Sequence, residues 1–256
     1  MRHLPRLLAL SALALLLGLV PAAADTLARI EAAGTLRVGL TGDYKPFSWE
    51  APQGHFEGLD VDMARALADS LGLRLEIVPT SWPGLMDDLA AEKFDIGMGG
   101  ISVTEERRTT AFFSTPLLTD GKTPIARCED AARFQTLDQI DREGVTLIVN
   151  PGGTNEKFTR ANIKTAAIIL HKDNATIFEE IAEGRADLMI TDAIETRIMA
   201  KEHPALCAIH PDEPFDRSEK AYLLPQDEAW KARVDEWLAA MEASGEKATI
   251  FGKWVE

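Results

Sequence analysis

Cysteine is almost missing from this 256-residue chain, and the five histidines are too scattered to share a metal ion. No metal centre is therefore expected. Asp60 and Asp62 stand two apart, too sparse for a calcium loop. The glycine-rich turn NPGGTNEKF lacks the GxxxxGK[ST] spacing that cradles nucleotide phosphates. No nucleophile elbow or Ser-His-Asp order is present either. Basic residues are few, 27 against 41 acidic ones, which excludes a nucleic-acid partner and an anionic lipid surface.

After residue 24 the chain also lacks any apolar run long enough to cross a bilayer. Residues 1–24 differ from the rest. Arg2 and Arg6 precede the run LLALSALALLLGLV, and Ala22-Ala23-Ala24 supplies small residues for cleavage before Asp25. The run falls short of a comfortable span, so a cleaved signal peptide is favoured over a membrane anchor, with a periplasmic product. That segment holds two of the 27 basic residues and none of the 41 acidic ones, so the remainder carries −16. In an exported protein the even pair Cys128 and Cys207 suggests one disulfide rather than two free thiols.

What is abundant is alternation. TLRVGL, LRLEIVP and DIGMGG read as strands, separated by helices over LDVDMARALADSLG and WPGLMDDLAAEKF. VTLIVN, AAIILH and ADLMIT repeat the rhythm, with helices over TNEKFTRANI and NATIFEEIAEGR. Repeated β-α-β units predict parallel sheets with helices on their faces. The length favours two α/β lobes: residues 25–121 plus 224–256 as one, and 122–223 as the other. LLTDGKTPIAR and EKAYLLPQ read as two crossing segments between them, with a ligand cleft where they meet.

Several residues are candidates for that cleft, each with a plainer reading beside it. Tyr44 in TGDYKPFSW either meets a ligand or plugs the sheet end, and Phe47 reads as core. Trp82 sits at a strand-to-helix junction where its face can stack on a ligand. In GGISVTEERR, Gly99 and Gly100 permit close backbone approach, and Arg107 suits a carboxylate unless it only supports the helix that Thr104 caps. Thr154 caps a helix or binds an anion, and Asn150 ends its strand facing the cleft. Asp192 and Glu195 are three apart, on one side of a helical turn, unless Glu195 pairs with Arg197 or Lys201 at the surface.

Together YKPFSW, GGISVTEER, the GGT turn and Asp192 resemble the periplasmic amino-acid-binding proteins, solute-binding family 3, over nearly all of the chain after residue 24. The resemblance implies a type II periplasmic-binding-protein fold. It also implies aromatic contacts from Tyr44 and Trp82, an α-carboxylate held by Ser102, Arg107 and Thr154, and an α-ammonium held by Asp192. Glu105 departs mildly, standing where members usually have Pro or Asp.

The longer strings TGDYKPFS, PTSWP, TDGKTPI, RFQTLDQID, IVNPGGTNEKF, TDAIE and EKAYLLP are similar to the prephenate/arogenate dehydratases, a periplasmic enzyme family on the same fold. That resemblance implies dehydration with decarboxylation of prephenate or L-arogenate, needing no cofactor. It assigns the general acid to Glu195. Lys122, at the crossing TDGKTPI, either holds a substrate carboxylate and assists as the site closes or is a surface hinge lysine, and Asn150 could orient the ring hydroxyl or a carboxylate. A non-catalytic transport receptor shares the fold and most of the clamp. Oligomeric state is left open, a homo-oligomer included.

Overall fold

The computed structural model describes residues 26–255, so the expected signal peptide over residues 1–24 lies outside the described residues. Two five-stranded sheets form the frame. The first runs in the order Arg74–Pro79, Thr35–Leu40, Ile96–Gly97, Leu223–Leu224, Phe112–Phe113. Its first three strands pair in parallel and the last two join antiparallel. In the second the order is Ala167–Leu170, Thr146–Val149, Leu188–Asp192, Lys122–Arg127, Leu206–Ala208. Its first three strands are again parallel, and Lys122–Arg127 pairs antiparallel with both its neighbours.

Burial explains these choices. Leu188, Met189, Ile190 and Thr191 are wholly buried, as a strand covered on both faces requires. The helix Leu59–Leu71 turns Leu59, Met63, Ala64 and Leu67 inward and ends at Gly72, whose φ of 66° is the left-handed cap glycine favours. WPGLMDDLAAEKF yields only the helix Leu85–Ala90, because Glu92 adopts a positive φ just beyond it. The long helix Glu228–Ser244 returns to the first lobe and buries Trp230, Val234, Trp237, Leu238 and Met241 there. Each such side chain contributes about 2 kcal/mol of apolar burial.

Two short strands cross between the lobes, Leu118–Asp120 and Ser218–Lys220, paired antiparallel. The second crossing ends earlier than the sequence suggests. Ala221, Tyr222 and Leu223 are buried in the first lobe's cores, so that lobe resumes at residue 221 rather than 224. The cleft lies where these strands leave the sheets. Gly100 helps shape it: at φ 70°, an added Cβ would fall 2.5 Å from the Phe47 ring and 2.6 Å from that of Tyr44. Asp60 fixes this turn by accepting the Gly99 and Gly100 N–H groups at 2.8 Å each.

Cys128 and Cys207 form a disulfide that ties the edge strand Leu206–Ala208 to the end of Lys122–Arg127. It closes a loop with a sequence separation of 79, which constrains the unfolded chain. Replacing both residues by serine is expected to lower the unfolding free energy by about 2–4 kcal/mol in urea titration. An unchanged midpoint would mean that strand pairing alone secures this edge.

Candidate active site

Asp192 ends a buried strand directly opposite Lys122, the first residue of its antiparallel neighbour. The Lys122 ammonium donates to Asp192 Oδ1 at 2.8 Å. Lys220, at the end of the crossing strand Ser218–Lys220, donates to Asp192 Oδ2 at 2.6 Å and to Ser102 Oγ at 2.8 Å. The Tyr44 hydroxyl, from the first lobe, also donates to Oδ2 at 2.5 Å. All five of these residues are at least 97% buried, so solvent screens these contacts little. Burial alone would raise the Asp192 carboxyl, but the two ammoniums outweigh it and hold the group well below the usual carboxylate range. Burial also lowers the Lys220 ammonium, with Asp192 offsetting part of that shift.

Glu195 lies in the first turn of the helix Ala193–Glu202 and is 1% exposed. Its position opposes that of Asp192 electrostatically. Burial, followed by the neighbouring Asp192 charge, pushes its carboxyl up to about 8, while the Thr191 hydroxyl and Lys122 pull the other way. Glu195 therefore holds a proton at neutral pH. No ion pair to Arg197 occupies it: Arg197 pairs with Asp212 at the surface. Thr191 Oγ1 bonds the Glu195 carboxyl and accepts from the Asn155 amide at 2.9 Å. Lys122 in turn donates to Asn155 Oδ1 and to Thr154 Oγ1, which uses all three of its N–H bonds.

The space between the lobes is lined by Tyr44, Trp82, Ser102, Asn150, Thr154 and Asp192, among others. About 20 Å³ is open there, room for roughly one water. Tyr44 and Trp82 meet edge to face, with ring centroids 5.8 Å apart. A flat ligand between them would have to part the rings. The Trp82 indole donates to Asp43 at 3.0 Å, and burial pushes the Asp43 carboxyl up to about 6. Arg107 stands one layer behind this space, donating to the Ser102 carbonyl at 2.8 Å. Lys122 and Glu195 likewise sit just behind the lining.

Two buried oxygens have no partner here, Asn150 Oδ1 and Asn174 Oδ1, and both residues line the space. Each is an acceptor ready for a ligand donor. Asn174, Asn155, Thr191 and Lys220 were not singled out from sequence. Lys220 carried one weak signal: a lysine immediately before the apolar run AYLL in a segment read as a crossing.

Residues 36–256 match the bacterial extracellular solute-binding proteins, family 3, and the chain belongs to that family. Within it, the chain is 57% identical over 256 residues to the cyclohexadienyl dehydratase of Pseudomonas aeruginosa, covering 100% of this chain and 95% of that protein. The crystal structure of an ancestral amino acid-binding protein, described as a precursor of cyclohexadienyl dehydratase, is also similar. Its TM-score is 0.85 at 33% identity, over 91% of this chain and 100% of that one. An ancestral cyclohexadienyl dehydratase shares 51% identity with a TM-score of 0.57, over 91% and 98% of the two chains.

Asp192→Asn would leave two buried ammoniums facing a neutral amide. Urea titration is expected to show a loss of roughly 3–5 kcal/mol. A loss below about 1 kcal/mol would mean that water already solvates the lysines.

Proposed function

We propose that the chain is a periplasmic dehydratase that converts prephenate to phenylpyruvate and L-arogenate to L-phenylalanine, with Glu195 as general acid. The observation that carries this reading is a buried carboxyl without a cation partner among the described residues, one helical turn from the paired Asp192 and pushed up to about 8 chiefly by burial. The 57% identity to a cyclohexadienyl dehydratase supports it.

The chemistry asks little beyond that proton. The substrate ring becomes aromatic when its carboxylate leaves as CO2 and its hydroxyl leaves as water. The electron pair of the breaking carbon–carbon bond enters the ring as the carbon–oxygen bond breaks. Glu195 delivers its proton to the departing hydroxyl oxygen and is left as a carboxylate, to be reprotonated from solvent. The unpartnered Asn150 or Asn174 oxygen accepts a hydrogen bond from the ring hydroxyl. Ser102, Thr154 and the Arg107-supported turn receive carboxylates, with Lys122 steadying Thr154 from behind. Because the space holds only about one water, the lobes part to admit a ten-carbon substrate.

A second reading, a non-catalytic amino-acid receptor, draws on the same clamp and on the likeness to an ancestral amino acid-binding protein. Turnover separates the two. Protein incubated with prephenate at neutral pH, where acid-driven aromatisation is slow, is expected to form phenylpyruvate above the buffer rate. Tight amino-acid binding with no phenylpyruvate would favour the receptor.

Glu195→Gln is expected to lower kcat by about a hundredfold or more. In the wild type, kcat should hold at neutral pH and decline as pH rises through about 8, where Glu195 loses its proton. The stability linkage has the same sign. The folded Glu195 keeps a proton that the unfolded chain releases near its ordinary value of 4.5, so its stabilising contribution is complete below that pH and gone once pH passes about 8. Glu195→Gln should therefore gain stability relative to the wild type above pH 8, measured by urea titration at two pH values. An active Glu195→Gln protein would place the acid elsewhere.

A further inference from the structure

Both oxygens of Asp192 are already engaged by groups of the chain itself. Oδ1 accepts from Lys122, and Oδ2 accepts from Lys220 and Tyr44. An amino-acid ligand that set its α-ammonium on this carboxylate would meet two fixed ammoniums there. Of those, Lys122 is also bound to Thr154 and Asn155, behind the lining, whereas Lys220 lines the open space itself. Lys220 is held in place from the opposite side by Ser102 Oγ and stands 5.4 Å from the centre of the Tyr44 ring. Its ammonium thus occupies the ligand-facing side of Asp192.

We propose that Lys220 is a specificity-determining residue: it takes the ammonium position on Asp192 and so favours α-keto acid ligands over their α-amino counterparts. Two ammoniums, Lys122 and Lys220, contact the single carboxylate of Asp192, and the charge of Asp120 acts on Lys220 from further off. A dicarboxylate with a keto group supplies anions to this cluster and brings no competing cation. An α-amino ligand must instead displace Lys220 or place a third ammonium beside two others, and like charges in a buried site repel strongly. The choice of keto and amino ligands rests on the dehydratase reading, but the test can be read without turnover.

Phenylpyruvate and L-phenylalanine, the keto and amino products, serve as the probes. Calorimetric titration of the full chain and of Lys220→Met should show L-phenylalanine binding about tenfold tighter in the variant, with phenylpyruvate weakened. L-phenylalanine affinity that does not rise, or equal changes for both ligands, would overturn the proposal. Should the methionine variant fail to fold by circular dichroism, Lys220→Gln retains hydrogen-bonding to Ser102 without the charge and is scored by the same criteria. Where turnover is present, the ratio of kcat/KM for prephenate over L-arogenate should fall about tenfold in the same variant. A wild type that converts neither substrate would refute the dehydratase reading, while the binding ratio would still decide the role of Lys220.

Discussion

One carboxylate organises the cleft. Asp192 sits where the second sheet meets the crossings, and it draws one lysine from beside each crossing and a phenol from the first lobe. Removing any of these charges would strand another in a medium that solvates it poorly. The ion-pair cluster is thus a constraint on geometry more than a source of net stability, since desolvation offsets much of its attraction. It sets where the two lysines stand, and they in turn fix Ser102, Thr154 and Asn155.

The same arrangement explains how two acids three residues apart end in opposite protonation states. Lys122 and Lys220 both direct their N–H groups at Asp192, leaving Glu195 with a hydroxyl for its partner. A charged Asp192 then works with burial to keep Glu195 protonated. Environments that push neighbouring carboxyl groups apart are how one site supplies both a fixed anion and an acid. Asp192 is held charged against burial by its lysines, and its charge adds to the burial that raises Glu195.

Much of the frame was legible because periodicity reports burial. ADLMIT, VTLIVN and TLRVGL became buried strands, and the GG and GGT turns fell at the cleft. Lysine defeats that kind of reading, because its long stem usually carries the charge to solvent. Its place before the apolar run AYLL only hints that Lys220 is 1% exposed; the burial follows from Ser102 and Asp192 meeting it from distant parts of the chain. Thr191 and Asn155 were hidden for a related reason, since their roles consist of a hydrogen-bond path between Lys122 and Glu195. Spacing placed Asp192 and Glu195 on one turn, but only the surroundings distinguish which of them is charged.

A receptor and an enzyme can share this fold because both require a closing cleft with fixed charges. They differ in what a neutral buried acid is for. To a receptor, a protonated Glu195 offers one hydrogen bond and little selectivity, while its burial restricts access. To a dehydratase it offers the proton that converts hydroxide, a poor leaving group, into water. That interaction strengthens as the carbon–oxygen bond breaks, so it is realised in the transition state rather than spent on holding the substrate. Closure magnifies the difference by excluding water that would otherwise level the acidity of Glu195 with that of a surface carboxyl. On this frame a dehydratase thus needs, beyond a receptor's fixed charges, one acid kept neutral chiefly by burial.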